Sequence, residues 1–210
     1  MNNISKYRII LASQSPRRRE IMMMAGLKFE VMPAEGEEHS SAASPDELTM
    51  ALSRAKAEEV FAKVAGEETG TGAVKQPLLV IGADTVVAYG SEILGKPKDL
   101  EDAYRMLHLL SGHTHQVYTG VTLIFRAGGS ERIGGQVVRR IFFEKTDVVF
   151  HELTDDEILQ YVHTVEPLDK AGSYAIQGAF GKYIQKIDGD YYNVVGLPIQ
   201  RIWQELKKMV

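Results

Sequence analysis

The feature that most constrains the fold of this 210-residue chain is an apolar segment between residues 78 and 87. Residues 78–81 are leucine, valine or isoleucine, and Val86 and Val87 resume the pattern after a short interruption. An apolar run without polar alternation is typical of a strand covered on both faces, as in sheets that carry helices on each side. We therefore predict a central strand here and an α/β fold around it.

Other segments supply the remaining strands and the first helix. Residues 9–12 form a short apolar run that predicts a second buried strand, and the Ser-Pro pair at 15–16 directly after it is a typical helix start. Two runs rich in β-branched and aromatic residues, 117–125 and 137–150, predict long antiparallel strands. The expected architecture is a mixed, twisted sheet with flanking helices.

Further helices are predicted from capping residues and apolar periodicity. A capping box begins at Ser44, another begins at Thr154, and Asp99 can cap a helix between them. The helix after Ser44 is predicted to bury a face that includes Leu48, Leu52, Ala55 and Val60. A closing helix after Pro198 is expected to bury Ile199, Ile202, Trp203 and Leu206.

Composition excludes several classes of protein. The chain has no cysteine, which excludes disulfides, thiolate zinc sites and a cysteine nucleophile. Its 24 Lys and Arg against 28 Asp and Glu give a net charge of −4, which disfavours a dedicated nucleic-acid binder. No segment approaches the roughly 18 apolar residues of a membrane span, and the first residues do not resemble a signal peptide. We expect a cytoplasmic protein without membrane contact, folded as one domain over residues 1–210.

Asp84 lies inside the predicted central strand and is the most suggestive single residue. A carboxylate in apolar surroundings costs several kcal/mol when unpaired, so it must meet a cation, a metal or hydrogen-bond donors. Gly82 and Ala83 before it leave space for another group to approach. Asp84 is therefore a candidate general base or Mg²⁺ ligand, with a structural carboxylate as the alternative. Glu37 and Glu38 could complete a metal site with it.

The second candidate is the cluster Arg17-Arg18-Arg19 at the start of the first predicted helix. Cations are unfavourable in the first turn of a helix because the helix dipole is positive there. The cluster is explained if an anion docks at this end, where N–H groups, Ser hydroxyls and guanidinium groups can converge on phosphate. The alternative is a solvated helix whose arginines pair with nearby acids.

Two weaker patterns are interpreted as structural. Residues 90–96 match the G-x₄-G-K frame of a phosphate loop, but Pro97 replaces the required Ser or Thr, so a hairpin is favoured and Lys96 remains only an isolated candidate for phosphate contact. His113 and His115 share one face of a strand without a third ligand at suitable spacing. We expect both to be ordinary surface or packing histidines.

Taken jointly, a set of short stretches resembles the Maf family of nucleoside triphosphate pyrophosphatases, relatives in fold of the inosine triphosphate pyrophosphatases. They follow the family order and extend over nearly the whole chain. They are Leu-Ala-Ser-Gln-Ser-Pro-Arg-Arg at 11–18, Glu-Glu at 37–38, Ala-Lys-Ala at 55–57, Gly-Ala-Asp-Thr-Val-Val at 82–87, Gly-Lys-Pro at 95–97, Leu-Ser-Gly at 110–112, Tyr-Thr-Gly at 118–120, Glu-Pro-Leu-Asp-Lys-Ala-Gly at 166–172, Ile-Gln-Gly at 176–178 and Val-Gly-Leu-Pro at 195–198.

The resemblance implies an elongated, two-lobed fold with a central cleft, commonly dimeric. It implies hydrolysis of a nucleoside triphosphate between the α and β phosphates, with a divalent cation, Mg²⁺ above all and Mn²⁺ or Co²⁺ as alternatives. Asp84 would be the catalytic proton acceptor, with Glu38 and Lys56 also catalytic, and Glu38 and Asp84 would hold the metal. Whether Asp84 or Glu38 is the base stays open. The substrate pocket would include Ser13, Arg17, Arg18, Thr85, Lys96, Asp169 and Gln177.

The pattern at three positions bears on the substrate. Arg17, Thr85 and Gln177 resemble the branch of the family that acts on dTTP and UTP, whereas the branch acting on 7-methyl-GTP resembles Trp, Gln and Glu at these positions. We expect a dTTP and UTP pyrophosphatase that also accepts modified pyrimidine triphosphates. The alternatives are the same chemistry on 7-methyl-GTP or inosine triphosphate, or a non-catalytic nucleotide- or nucleic-acid-binding regulator of cell division.

Overall fold

The computed structural model describes residues 3–36, 40, 42–67, 76–128, 137–164 and 166–209. The strands are β1 (Arg8–Ala12), β2 (Glu30–Val31), β3 (Leu78–Tyr89), β4 (Glu92–Leu94), β5 (Thr114–Arg126), β6 (Val137–Phe150) and β7 (Ile184–Asp188). The α-helices are α1 (Pro16–Met24), α2 (Pro45–Glu67), α3 (Leu100–Leu110), α4 (Asp155–Val162), α5 (Tyr191–Val195) and α6 (Ile199–Met209). Short 3₁₀ helices lie at Asn3–Lys6, Glu166–Asp169, Ala171–Ser173 and Ala179–Tyr183.

The strands form one mixed sheet in the order β2-β1-β3-β5-β6-β7, with β4 paired to β3. Strand β1 is parallel to both β2 and β3, while β4 is antiparallel to β3 and β7 is antiparallel to β6. Strand β3 lies between β1 and β5, and its residues 78–81 are fully buried. The predictions of a central strand and of a mixed α/β sheet are confirmed.

The predicted starts of α1, α3 and α4 are also confirmed, and each helix has the expected side-chain cap. The Ser15 side chain accepts a hydrogen bond from the Arg18 backbone N–H, with proline at the first position of α1. Asp99 caps α3 through the Asp102 N–H, and Thr154 forms a reciprocal capping box with Glu157 at α4. None of the helices in the described ranges is long and apolar enough to cross a membrane.

The chain divides into two compact units, and the first consists of Met1–Asp84, Gly120–Phe143 and Ile199–Val210. Its core includes apolar side chains of β1, α2, β3 and β5, namely Ile10, Ala12, Ala57, Val60, Val64, Leu78, Val80 and Ile124. The prediction that Ala55 faces the core is wrong, because Ala55 is exposed and Thr49, Ser53 and Ala57 are buried instead. Small and hydroxyl-bearing residues occupy the side of α2 that packs on the sheet, because the sheet comes very close to the helix there.

The second unit consists of Thr85–Thr119 and Glu144–Pro198. Its core is rich in aromatic rings, with Phe150 contacting Phe180 and Tyr174 at centroid distances of 4.8 Å each. His115 is fully buried in this cluster, its ring centroid 4.5 Å from that of Phe150 and its Nε2 2.9 Å from the Tyr174 hydroxyl. The interpretation of His115 as a packing histidine is confirmed.

Burial makes the stability of this unit dependent on pH. Loss of hydration in the core lowers the pKa of His115 to about 3, although the nearby Asp147 charge opposes the shift. In the unfolded chain the histidine pKa is about 6.5, so the unfolded state takes up the proton first as the pH falls. The free energy of unfolding therefore decreases by about 1.4 kcal/mol per pH unit below about pH 6. In urea titrations, the free energy of unfolding of the wild type should therefore fall relative to that of His115→Phe as the pH falls from 7 to 4.5. If the wild-type value minus the variant value stays constant over this range, the account is contradicted.

Candidate active site

A buried ion pair joins the central strand to the second helix. The Nζ atom of Lys56 in α2 lies 2.6 Å from Oδ1 of Asp84 in β3. The two side chains are only 16% and 12% exposed. The prediction that Asp84 must meet a cation or donors is thus met by Lys56, and both residues belong to the first unit.

Two glycines allow α2 to come this close to the sheet. A Cβ atom at Gly82 would lie 2.4 Å from the Ser53 carbonyl oxygen, and one at Gly120 would lie 2.3 Å from the Thr49 carbonyl. Contacts this short with backbone atoms are not tolerated, so any side chain at these positions would displace the helix. The group expected to approach Gly82 is therefore the backbone of α2 itself.

A hydroxyl pair fixes the same helix on the sheet. The hydroxyls of Ser53 in α2 and Thr122 in β5 lie 3.0 Å apart, and both residues are fully buried. Ser53 precedes Lys56 by three residues, so it lies about one helical turn away on the same side of α2. Close backbone packing and this hydrogen bond together set the position from which Lys56 reaches Asp84.

The start of α1 contributes a second cation to the first unit. Nη1 of Arg18, whose residue is 9% exposed, donates to Ser13 Oγ at 3.1 Å and to the Ala83 carbonyl at 2.8 Å. Arg18 thereby ties the helix start to β3 at the residue directly before Asp84. Arg17 is half-buried, whereas Arg19 is exposed.

Ser13 is oriented by its neighbours. Its Oγ accepts hydrogen bonds from the Ser15 backbone N–H at 3.2 Å and from Arg18 at 3.1 Å. With both oxygen lone pairs engaged, the Ser13 hydroxyl can only donate its own proton further. A buried hydroxyl that presents a donor suits an anionic ligand.

Hydrogen bonds and chain connectivity thus bring four of the predicted site residues close together within the first unit, namely Ser13, Arg18, Lys56 and Asp84. Glu38, predicted as a catalytic residue and metal ligand, lies outside the described residues together with Glu37. The loop before it is attached to α2, where the Glu59 carboxylate accepts from the N–H groups of Glu35 and Gly36 at 2.7 and 3.1 Å.

The other predicted pocket residues belong to the second unit. Thr85 is half-buried, and its hydroxyl lies 2.9 Å from that of Thr119. Lys96, Asp169 and Gln177 are exposed, and Asp169 forms an ion pair with Lys170. A backbone hydrogen bond of 3.0 Å from Gly172 to the Gly95 carbonyl holds the segments of Lys96 and Asp169 beside each other.

The glycine-rich pattern interpreted as structural behaves as expected. Residues 90–96 turn from β3 into the antiparallel β4, with Gly90 at φ 59°, so the G-x₄-G-K frame is a hairpin. No cluster of three or more His, Cys, Asp or Glu side chains suited to a metal occurs within the part of the chain that the structure describes.

Sequence reasoning missed the residues that support the site. Ser53, Gly120 and Thr122 position α2, and Thr119 and Asn193 lie behind Thr85. A signal for the first group was present, because small or hydroxyl residues recur at Thr49, Ser53 and Ala57 on the helix. The contact with Asn193, distant in sequence, has no such local signal.

Comparison with known proteins shows the family of the chain. A dTTP/UTP pyrophosphatase of Agathobacter rectalis is 52% identical over 203 residues, covering 96% of this chain and 97% of that protein. A dTTP/UTP pyrophosphatase of Lachnoclostridium phytofermentans is 46% identical over 202 residues, covering 96% and 95%. The solved structure of the Staphylococcus aureus Ham1 protein aligns with a TM-score of 0.44 at 12% identity, over 97% of this chain and 100% of that one. The family profile described as Maf-like protein matches residues 8–209, and the chain belongs to this family.

Proposed function

We propose that this protein hydrolyses dTTP and UTP, and modified pyrimidine triphosphates, to the monophosphate and pyrophosphate. The observation that carries the proposal is the buried Asp84–Lys56 pair, in a chain 52% identical to a protein named dTTP/UTP pyrophosphatase. Arg17, Thr85 and Gln177, the residues that resemble the pyrimidine branch, support the choice of base.

Asp84 is proposed to hold the attacking water and to accept its proton. Lys56 donates to Asp84 Oδ1, which fixes the orientation of the carboxylate in a site largely closed to solvent. A general base must be within hydrogen-bond reach of its proton, and a carboxylate held in this way meets that requirement for a water bound on its other side. Glu38 remains the alternative base.

The positive charge needed for a triphosphate comes from the start of α1 and from lysines. Arg17, Arg18 and the donating hydroxyl of Ser13 are proposed to contact phosphate oxygens, and Lys96 is a further candidate for phosphate contact. Preorganised donors of this kind stabilise the charge that develops in the transition state without reorganisation during the reaction. Asp169 and Gln177 are proposed as further substrate contacts.

The residues present fit a hard divalent cation. Mg²⁺ prefers oxygen ligands and in nucleotide enzymes is held by one or two carboxylates together with substrate phosphates and water, so Asp84 and Glu38 are the carboxylates that would hold it. When bound, Mg²⁺ would neutralise phosphate charge and favour ionisation of water. We propose Mg²⁺ as the cofactor, with Mn²⁺ or Co²⁺ as possible replacements.

A nucleotide panel tests the proposal. The purified protein should release pyrophosphate from UTP and dTTP in the presence of MgCl₂, faster than from 7-methyl-GTP or inosine triphosphate, and EDTA should abolish the release. Preference for either purine nucleotide would contradict the substrate assignment. Nucleotide binding that persists in EDTA without hydrolysis of any triphosphate would favour a non-catalytic regulator.

A cytoplasmic location and a homodimer are further proposals, and both are supported by the family resemblance. Light scattering of the purified protein tests the second. A mass near twice the 23.3 kDa of one chain is expected, and the mass of a single chain would contradict it.

A further inference from the structure

The outer edge of strand β6 is covered by β7 along only part of its length. The ladder between the two strands begins at the opposed pair Asp147 and Asp188 and runs towards the C-terminal end of β6. After Asp188 the chain turns away at Gly189, whose φ is 133° and where a Cβ atom would lie 2.8 Å from Thr146 Oγ1. In the ranges that the structure describes, no strand pairs with the outer edge of residues 139–145. This part of β6 is therefore an edge strand, a surface with which another strand can pair.

Two large apolar side chains lie exposed on one face of this edge segment. Ile141 is 40% exposed and Phe143 is 37% exposed. Side chains two positions apart along a strand point to the same face, so these two form one apolar strip. Native proteins normally protect an edge strand, and an exposed apolar edge is the surface to which β-strand addition attaches a partner.

The sequence of this segment is complementary to itself. A two-fold axis through Phe142 that pairs two copies of β6 in antiparallel orientation places Ile141 of each copy opposite Phe143 of the other. The same register places Arg140 of each copy opposite Glu144 of the other, and every contact occurs twice because the interface is symmetric. Apolar pairs and pairs of opposite charge are the cross-strand pairs that stabilise a sheet. One register therefore matches both kinds of side chain.

Two further cations near this edge have counter-charges within their own chain. Arg139 Nε lies 3.4 Å from Glu58 Oε1, and Lys145 Nζ lies 3.4 Å from Asp147 Oδ1. These cations would lie opposite each other in the same register, and their ion pairs reduce the repulsion. Arg140, by contrast, is exposed and has no ion-pair partner among the described side chains. Arg140 is thus the cation to which a second copy would bring a carboxylate.

We propose that residues 140–144 of β6 form the contact of a homodimer, in which a second copy of this chain adds its own β6 in antiparallel orientation and continues the sheet. A second copy is favoured over an unrelated peptide because this segment itself supplies the matching apolar and charged residues in one register. This inference rests on the homodimer proposed above and names the surface that forms it.

Sedimentation equilibrium of the full chain measures the dissociation constant of the dimer. Ile141→Lys places a charge in the apolar strip and should raise this constant about tenfold or more. Leu159→Lys is the matched control, since Leu159 lies in α4 and is 42% exposed, and it should keep the wild-type constant. Thermal melting should show both variants folded. A folded Ile141→Lys protein with the wild-type constant would overturn the inference.

A pair of charge reversals tests the register. Arg140→Glu places two acids opposite each other at both ends of the contact, and Glu144→Arg places two bases there. Each variant alone should have a dissociation constant raised about tenfold or more. A mixture of the two variants restores opposite charges at both ends and should form a heterodimer with a mass near twice that of one chain. A mixture that keeps the mass of one chain would overturn the inference.

The outcomes separate this contact from the proposals on which it rests. A wild-type protein that keeps the mass of one chain at every concentration would overturn both the homodimer and this contact. A wild-type dimer that none of the β6 variants weakens would overturn this contact alone. Hydrolysis of UTP by the wild type tests the proposed enzyme activity independently in each case.

Discussion

Replacing Asp84 with asparagine is expected to lower kcat for UTP hydrolysis by about 10²- to 10⁴-fold, the range typical for loss of a general base. Asparagine has nearly the same size and can still accept a hydrogen bond from Lys56, but its amide cannot take a proton from water. The loss should appear in kcat more than in KM, because the arginines at the start of α1, which we propose as phosphate contacts, are unchanged. Steady-state kinetics with pyrophosphate detection measures both constants.

The control for this variant is another carboxylate in an ion pair. Asp188 in β7 pairs with Lys186 at 3.2 Å, and both side chains are largely exposed. Asp188→Asn should leave kcat and KM at wild-type values, and thermal melting should show both proteins folded. An Asp84→Asn protein that hydrolyses UTP at the wild-type rate would contradict the role of Asp84 as proton acceptor and favour Glu38.

Replacing Gly82 with alanine is expected to destabilise the fold by about 2–3 kcal/mol, as overpacking of a close contact does. The new Cβ would lie 2.4 Å from the Ser53 carbonyl and 2.9 Å from the Ala57 Cβ, and neither atom belongs to a flexible side chain. Helix α2 must therefore move away from β3. Since the same helix carries Lys56, we also expect kcat to fall even under conditions where the variant is fully folded.

Gly66 provides the matched control on α2. A Cβ there meets no atom of the described residues within 4 Å, so Gly66→Ala should be neutral or stabilising by about 0.5–1 kcal/mol through reduced freedom of the unfolded chain. Urea titration and kinetics on both variants separate the two effects. A Gly82→Ala protein with wild-type stability and kcat would show that α2 does not need this close approach.

Local patterns were sufficient to predict much of the fold. The unbroken apolar run of β3 indicated a strand covered on both faces, and its residues 78–81 are fully buried. Capping residues such as Ser15 and Thr154 marked helix starts correctly, because a cap is a contact between residues three positions apart. The need for a cation, a metal or hydrogen-bond donors near Asp84 followed from the cost of a buried charge, and Lys56 meets that need.

Contacts between distant segments could not be predicted in the same way. Periodicity predicted that Ala55 faces the core, but Ala55 lies on the exposed side of α2. A different face of the helix packs on the sheet, because the glycines of β3 and β5 allow a close approach there. Alanine fits either side of a helix, so its position depends on a surface far away in sequence. The hydrogen bond from Thr119 to Asn193 joins residues 74 positions apart, and no spacing rule links them.

The central claim is that this protein splits UTP between the α and β phosphates at the site that contains Asp84. The most direct measurement follows the phosphorus NMR spectrum of UTP with MgCl₂ and the wild-type protein, beside the same reaction with Asp84→Asn. The account predicts that UMP and pyrophosphate appear in equal amounts with the wild type and that UTP remains nearly intact with the variant. Formation of UDP and inorganic phosphate, or equal turnover by both proteins, would contradict it.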